Sequence, residues 1–448
     1  MSVVFRLVSA AAATAIALAA PAAAQTRTPL SLDDTVRRAV EHAPLVAEAR
    51  ARETAAAATA RARDALAKPT LTAMSSYLRT NHVEEFGFPT ITGGTRVVYP
   101  DIPSNYRVRA ELGVPLYTGG RTTSLVEAAE AEGRAVDAER RGIEFDVRFD
   151  ATRAYWLLVT SRESVRVLEQ ALERADASLR DVGVRVDAGV LPPNEVASAR
   201  AQRARQEVRL IEARHAASIA DADLSRLMGD PPGSTYEPTS ALDRPTPGIA
   251  EIEQRPLAAL IEQARASRPE RASLEERQAS LRATEDAAHA ASKPQVNAMA
   301  AVEPASPNPR FFPRASNWRT SWDVAVQVCW TLWDNGRADA EAASARAQAE
   351  AIGHRVRQFD DVVALDLQQR LGEVSASRAA LVAAGEGVAA ATEAHRVILE
   401  RFDAGVATPQ EVLDAQQARL EAELERMRLM ATLRLGEARL LRVLGVQR

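Results

Sequence analysis

The side chains able to do bond-making chemistry are few in this 448-residue chain, and their spacing does not suit it. Six histidines (42, 82, 215, 289, 354 and 395) form no HxxxH or HxH pair, so no single helix or strand face presents two imidazoles to a metal. The one cysteine, Cys329, excludes an intrachain disulfide and a cysteine-based zinc cage. No nucleophile–base pattern stands out, so neither an enzyme nor a cofactor is expected. A different chemistry is written at Glu411 and Asp414, three residues apart at the start of a helical stretch and therefore on one face. If chain symmetry gathers copies of these carboxylates, they should attract cations and oppose one another's full ionisation. The alternative is that Glu411 only caps its helix and Asp414 is solvated.

Composition says what must position such residues. Fifty-six basic against sixty acidic side chains leave a net charge of −4, so no basic field recruits nucleic acid. Aromatics make up 4 % of the chain, thin for a globular core of this length, while alanine, arginine, glutamate and leucine dominate as in long helices. Residues 1–24 read as a signal peptide: Arg6, an apolar run over 7–20, then Ala22-Ala23-Ala24 before Gln25. No cysteine follows that point, so lipid attachment there is not expected. Nor does a later run of about 18 apolar residues predict a transmembrane helix.

The chain is a tandem duplication. Gly119-Gly120-Arg121 matches Asn335-Gly336-Arg337, Asp187-Ala188-Gly189-Val190 matches Asp403-Ala404-Gly405-Val406, and Glu195-Val196 matches Glu411-Val412, all at one offset of 216 residues. Upstream, Lys68-Pro69 matches Lys293-Pro294, and these are the only two lysines. The copies span 25–229 and 256–448. Five prolines between 230 and 255 predict an extended linker.

Each copy reads helix, strand, loop, strand, long helix, turn, helix. Strands are predicted at about 70–78, 106–116, 295–303 and 321–332. Val108 to Leu116 alternate with Arg107, Arg109 and Glu111, and Val324 to Leu332 alternate with Asp323, Gln327 and Cys329. The loops 79–105 and 304–318 are rich in Pro, Gly, Asn and aromatics. Proline-free windows carry the long helices, of which 120–186 would run roughly 100 Å. Stripes such as Leu413, Leu420, Leu424, Met427 and Ala431, with Ala197, Ala204, Val208, Ile211 and His215 as first-copy equivalents, predict helix-packing seams.

Twelve of the twenty aromatics fall within 70–120 and 295–335, which favours membrane strands over a small soluble β-domain, since bilayer interfaces select Trp and Tyr near strand ends. The candidate interface aromatics are Tyr117, Trp318, Trp322, Trp330 and Trp333. Four strands cannot close a membrane barrel, so chains must share one: two would supply eight strands, three would supply twelve.

The helical turns carry the other signal. Thr408-Pro409-Gln410-Glu411 is a capping box behind Gly405, and Gly189 precedes a similar start in the first copy. Val190, Leu191 and Val406 are apolar where a hairpin tip should be polar, which predicts a docking surface.

These features together resemble the TolC-like outer-membrane efflux protein family across essentially the whole mature chain: the signal segment, the duplicated unit, and two Gly-Val turns, the second followed by Glu-Val-Leu-Asp-Ala-Gln (411–416). The resemblance implies an α+β membrane protein in which a homotrimer shares a 12-stranded transmembrane β-barrel, continued by a periplasmic α-helical coiled-coil tunnel. It implies an outer-membrane exit duct with a periplasmic extension, serving efflux or type I secretion. Its implied partners are a periplasmic adaptor, an inner-membrane pump and outer-membrane lipid. By position, Gly189, Val190, Leu191, Gly405, Val406 and Ala407 resemble the adaptor-contacting tips. Phe402, Glu411 and Asp414 resemble the periplasmic entrance. The chain departs from some members in carrying Ala407 where they have an arginine. The competing reading is an envelope-anchored structural or adhesive coiled-coil protein, which would need no polar lumen.

Overall fold

A computed structural model describes residues 27–446; the predicted signal peptide lies outside them. In chain order the elements are β1 (Thr28–Leu30), α1 (Leu32–His42), α2 (Pro44–Asp64), β2 (Thr70–Arg79), β3 (Phe86–Pro89), β4 (Thr95–Tyr99), β5 (Ser104–Tyr117), α3 (Arg121–Asp187), α4 (Asn194–Met228), β6 (Tyr236–Pro238), α5 (Ile249–Glu253), α6 (Leu257–Ser267), α7 (Pro269–Ala290), β7 (Gln295–Ser306), β8 (Arg319–Cys329), α8 (Arg337–Asp403) and α9 (Pro409–Val443). The fold is mostly helical. Helices α3 and α8 are each 67 residues long, and α4 and α9 are each 35. Among the described residues no helix is long and apolar enough to cross a membrane.

Two compact units are present. The first comprises residues 27–39, 151–245 and 380–432. Its core includes a seam of Val167, Leu168, Ala171, Leu210, Ala213 and Leu420. Leucine and alanine at three- and four-residue spacing let helices approach closely along such a seam. Leu413 and Met427 are buried as the stripe predicts, but Val208, Ile211 and His215 are exposed. Between residues 197 and 217 of α4 the buried positions are Ala199, Gln202, Gln206, Leu210, Ala213 and Ala217 instead, a face rotated from the predicted one. Over residues 197–215 and 413–431 the two copies thus use different faces of equivalent helices, whereas Ala217, Asp221 and Leu224 are buried like their counterparts Leu433, Glu437 and Leu440.

β1 pairs in parallel with β6, so the linker is not wholly extended coil; it also forms the five-residue helix α5. Tyr155 ties the β1 strand down: its hydroxyl donates to the Leu30 carbonyl at 3.2 Å and accepts from the Ser240 amide at 3.1 Å. Asp221 sits buried beside Arg162 at 2.6 Å and accepts the Tyr236 amide. Burial raises its pKa, against the pull of the Tyr236 amide and Arg162.

The second unit comprises 40–150, 246–379 and 433–446. Its main sheet is ordered β2-β5-β7-β8 with every neighbour antiparallel, so the strand pairs of the two copies lie side by side. Helix seams here are lined with buried alanines, among them Ala131, Ala135, Ala138, Ala287, Ala290, Ala342 and Ala345.

The turns before α3 and α8 explain one repeated motif. Gly119 and Gly120 both have positive φ, as do Asn335 and Gly336. Asparagine is among the few side chains tolerated there, so it can stand in for the first glycine. At Gly119 a Cβ would also meet the Lys293 side chain at 2.7 Å.

Several predicted boundaries shift. β8 ends at Cys329, so Trp330 and Leu332 lie beyond it, and β7 runs on to Ser306. The segment 79–105 is not simply loop: β3 and β4 form a hairpin inside it.

Candidate functional site

Strand alternation gives the main sheet two chemically opposed faces. Register places Leu71, Leu112, Ala300 and Val324 in one row, with Val302 and Trp322 paired nearby. The large side chains of this face are open to solvent, Trp322 at 70 % and Val324 at 68 %. Contiguous exposure of such residues marks a surface that something else covers. A groove of about 360 Å³ runs where Ala110 and Ala300 leave space between Leu71, Leu112 and Trp322.

The opposite face carries the charges. Arg109 of β5 donates from Nε to Glu111 at 3.0 Å, from Nη1 to Glu303 of β7 at 3.3 Å, and from Nη2 to Asp323 of β8 at 3.2 Å. Arg107 lies 3.5 Å from Glu303, and Arg310 lies 3.4 Å from Asp323. Sequence alternation located Arg107, Arg109, Glu111 and Asp323 on the polar face. It missed the parts played by Glu303 and Arg310; the available signal was Glu303 at the predicted end of β7.

The aromatics collect at both strand ends. Tyr77 and Tyr106 have ring centroids 5.0 Å apart, and Trp318 lies 6.1 Å from Tyr106. At the other end stand Tyr117 and, just past β8, Trp330 and Trp333; the Trp330 indole donates to the Ser292 carbonyl at 2.9 Å. Strict alternation would put Tyr117 on the polar face. A bulge between Pro115 and Tyr117 pairs it with Val296, and so turns it to the apolar one.

In the first unit, the turns after α3 and α8 close identically. Gly189 and Gly405 adopt φ of 72° and 74°. The Val190 amide donates to the Arg185 carbonyl and the Val406 amide to the Arg401 carbonyl, each at 2.8 Å, while the Gly189 and Gly405 amides bond Val186 and Phe402. This is the Schellman arrangement, in which the residue after glycine often packs back on its helix. Here Val190 and Val406 do not; they are 68 % and 63 % exposed. Leu191 and Ala407 are half-buried.

The capping box forms as drawn from the sequence. The Thr408 amide and hydroxyl both donate to Glu411 Oε2, at 2.7 and 3.0 Å, and the Glu411 amide approaches Thr408 Oγ1 at 3.3 Å. Hydrogen bonds from Thr408, amide first, hold the Glu411 carboxyl below the usual range. Within one chain this is the opposite of the rise expected from gathered carboxylates, and it gives Glu411 a capping role. Asp414 is exposed and accepts from Gln410 Nε2 at 2.7 Å. Phe402 is buried, with the Arg185 guanidinium 4.2 Å from its ring centroid.

A family model described as outer membrane efflux protein matches residues 35–230 and 260–446. The chain is 25 % identical over 345 residues to outer membrane efflux protein BepC of Brucella suis biovar 1, covering 73 % of this chain and 70 % of BepC. It is 26 % identical over 156 residues to cobalt-zinc-cadmium resistance protein CzcC of Cupriavidus metallidurans, a match spanning 34 % of this chain and 37 % of CzcC. The fold is similar to that of the outer membrane protein VceC from Vibrio cholerae, with a TM-score of 0.75 at 19 % identity over 93 % of this chain and 96 % of VceC.

Proposed function

The chain belongs to the outer membrane efflux protein family, and from that membership we propose that it is the passive exit duct of a tripartite export system. Three copies share one twelve-stranded barrel in the outer membrane. The observation that carries this reading is the two-faced sheet with two open edges: β2 and β8 each pair on one side only. Open edges in lipid would leave backbone groups unpaired, and four strands are too few to close. Tyr117 lies eleven residue steps beyond Tyr106. At ~3.3 Å per residue they span roughly 36 Å, and at a tilt of about 40° that is a height near the ~25 Å apolar band of such barrels. The exposed stripe of Val208, Ile211 and Ile219 on α4 supports helix contacts between copies.

The duct supplies no energy. A pump in the inner membrane does, and a periplasmic adaptor docks on the tips at Gly189, Val190, Leu191, Gly405, Val406 and Ala407. Exposed valines on rigid Schellman turns support that docking: their burial against a partner would stabilise it without ordering a loop. The N-termini of α9 line the entrance, where Asp414 supplies negative charge and Phe402 anchors the neighbouring turn. Charges on the sheet's polar face favour a water-filled duct over an adhesin, which has no use for them.

Mass measurement in detergent and planar-bilayer recording test the reading together. A trimer with stable conductance is expected. A monomer that keeps its strand content and passes no current would overturn it.

A further inference from the structure

We propose that Arg109 sets the ionic selectivity of the barrel lumen, by neutralising carboxylates from three strands at one level of the duct. The proposal rests on the duct reading above. Arg107, Arg109 and Arg310 meet Glu111, Glu303 and Asp323, so three positive charges face three negative ones. Only Arg109 touches all three acids. A guanidinium has five donors, enough to bond several carboxylates from one position.

The cluster is built rather than loosely solvated. Side-chain exposure is 26 % for Arg109, 12 % for Glu303 and 24 % for Asp323. Towards the other strand ends the same face carries one further charge, Arg319, over the Phe311 ring. Between this level and the Gln295 and Cys329 ends, the inward positions of the four strands carry Thr72, Asn297 and Gln327 among others, and no charged side chain. The selectivity of this stretch of lumen is therefore set by the balance at one level. Three-fold repetition would multiply any imbalance by three. With Arg109 in place the balance is zero, so this stretch of the barrel passes cations and anions without strong preference. Its loss would leave a net charge of −1 per chain, and the loss of Asp323 would leave +1.

The test compares Arg109→Gln, Asp323→Asn and Arg109→Lys with the unaltered protein in planar bilayers under a KCl gradient. Arg109→Gln should raise the cation-to-anion permeability ratio about threefold, as a ring of like charge raises local counter-ion concentration. Asp323→Asn should lower the ratio by a similar factor. Arg109→Lys keeps the charge while losing the three-way geometry, so its ratio should stay near that of the unaltered protein. Hexaamminecobalt(III) added on the barrel side should block Arg109→Gln more strongly than the unaltered channel. Conducting channels whose ratios do not move, or move together in both neutralising variants, overturn the proposal and leave the duct standing. If the unaltered protein passes no current, the duct reading fails first. Should Arg109→Gln not assemble, the shift in Asp323→Asn against Arg109→Lys decides the matter alone.

Discussion

Arg185 and Asp403 clip together the ends of two equivalent helices, Nη2 to Oδ1 at 2.8 Å, and the same guanidinium covers the Phe402 ring and pairs with Asp181 at 3.0 Å. Each turn is thereby held by the other copy's last helical turn. An exposed ion pair contributes about 0.2–1 kcal/mol, and an exposed cation–π contact about 0.5–1 kcal/mol. Arg185→Ala should therefore speed amide exchange in 188–191 and 404–407 several-fold. Asp403→Asn should do so less, because Phe402 and Asp181 still hold the guanidinium. Equal and negligible effects in both variants would show that backbone capping alone holds the turns.

The tips make a second prediction. Val190→Asp with Val406→Asp puts charge where an apolar contact is proposed, without touching the Schellman hydrogen bonds. Export in a complementation assay should fall at least about tenfold, the loss expected from about 1.4 kcal/mol or more of interface energy. The amount of assembled protein in the outer membrane should not change. Retained export would remove Val190 and Val406 from the docking surface.

Cys329 tests the assignment of strand faces. It pairs with Gln295 and shares a face with Gln327 and Asp323, away from Trp322 and Val324. A small membrane-impermeant thiol reagent should modify it in assembled protein, while a lipid-dissolved maleimide should not. The reverse pattern would mean that the polar face does not line water.

Acid should weaken the second unit through Glu270. Arg442 donates to Glu270 at 2.7 Å and to Asp146 at 2.6 Å, and Arg268 reaches Glu270 at 3.0 Å. Burial works to raise the Glu270 carboxyl, but Arg268 and then Arg442 outweigh it and bring it down from 4.5 to about 2. A depressed carboxyl means that the folded state binds fewer protons than the unfolded one between those values. Its stabilisation is complete above pH ~4.5 and is lost as pH falls through about 2. Glu270→Gln should cost about 1–3 kcal/mol near neutrality and flatten the decline in melting temperature across that window. Parallel curves for both proteins would dismiss the linkage.

Much of this protein was legible because its signals are periodic or punctuating. Shared Gly and Pro positions exposed the duplication, and proline-free windows marked the two 67-residue helices. Alternation at Val108–Leu116 and Val324–Val328 marked strands with one apolar face. Thr408 and Glu411 announced a capping box, since that motif is closed by residues three apart and needs no tertiary partner.

What depends on partners far along the chain could not be read this way. Which strand lies beside which decides that Arg109 meets Asp323, 214 residues away. A single bulged residue reverses the face of Tyr117, because side-chain direction has a period of two and any insertion flips it. The hairpin of β3 and β4 escaped notice because strands of four and five residues are too short to establish a period. Equivalent stripes on α4 and α9 gave equal expectations, yet Met427 is buried and its counterpart Ile211 is exposed. Periodicity says that a helix has an apolar face; only packing decides which neighbour that face meets.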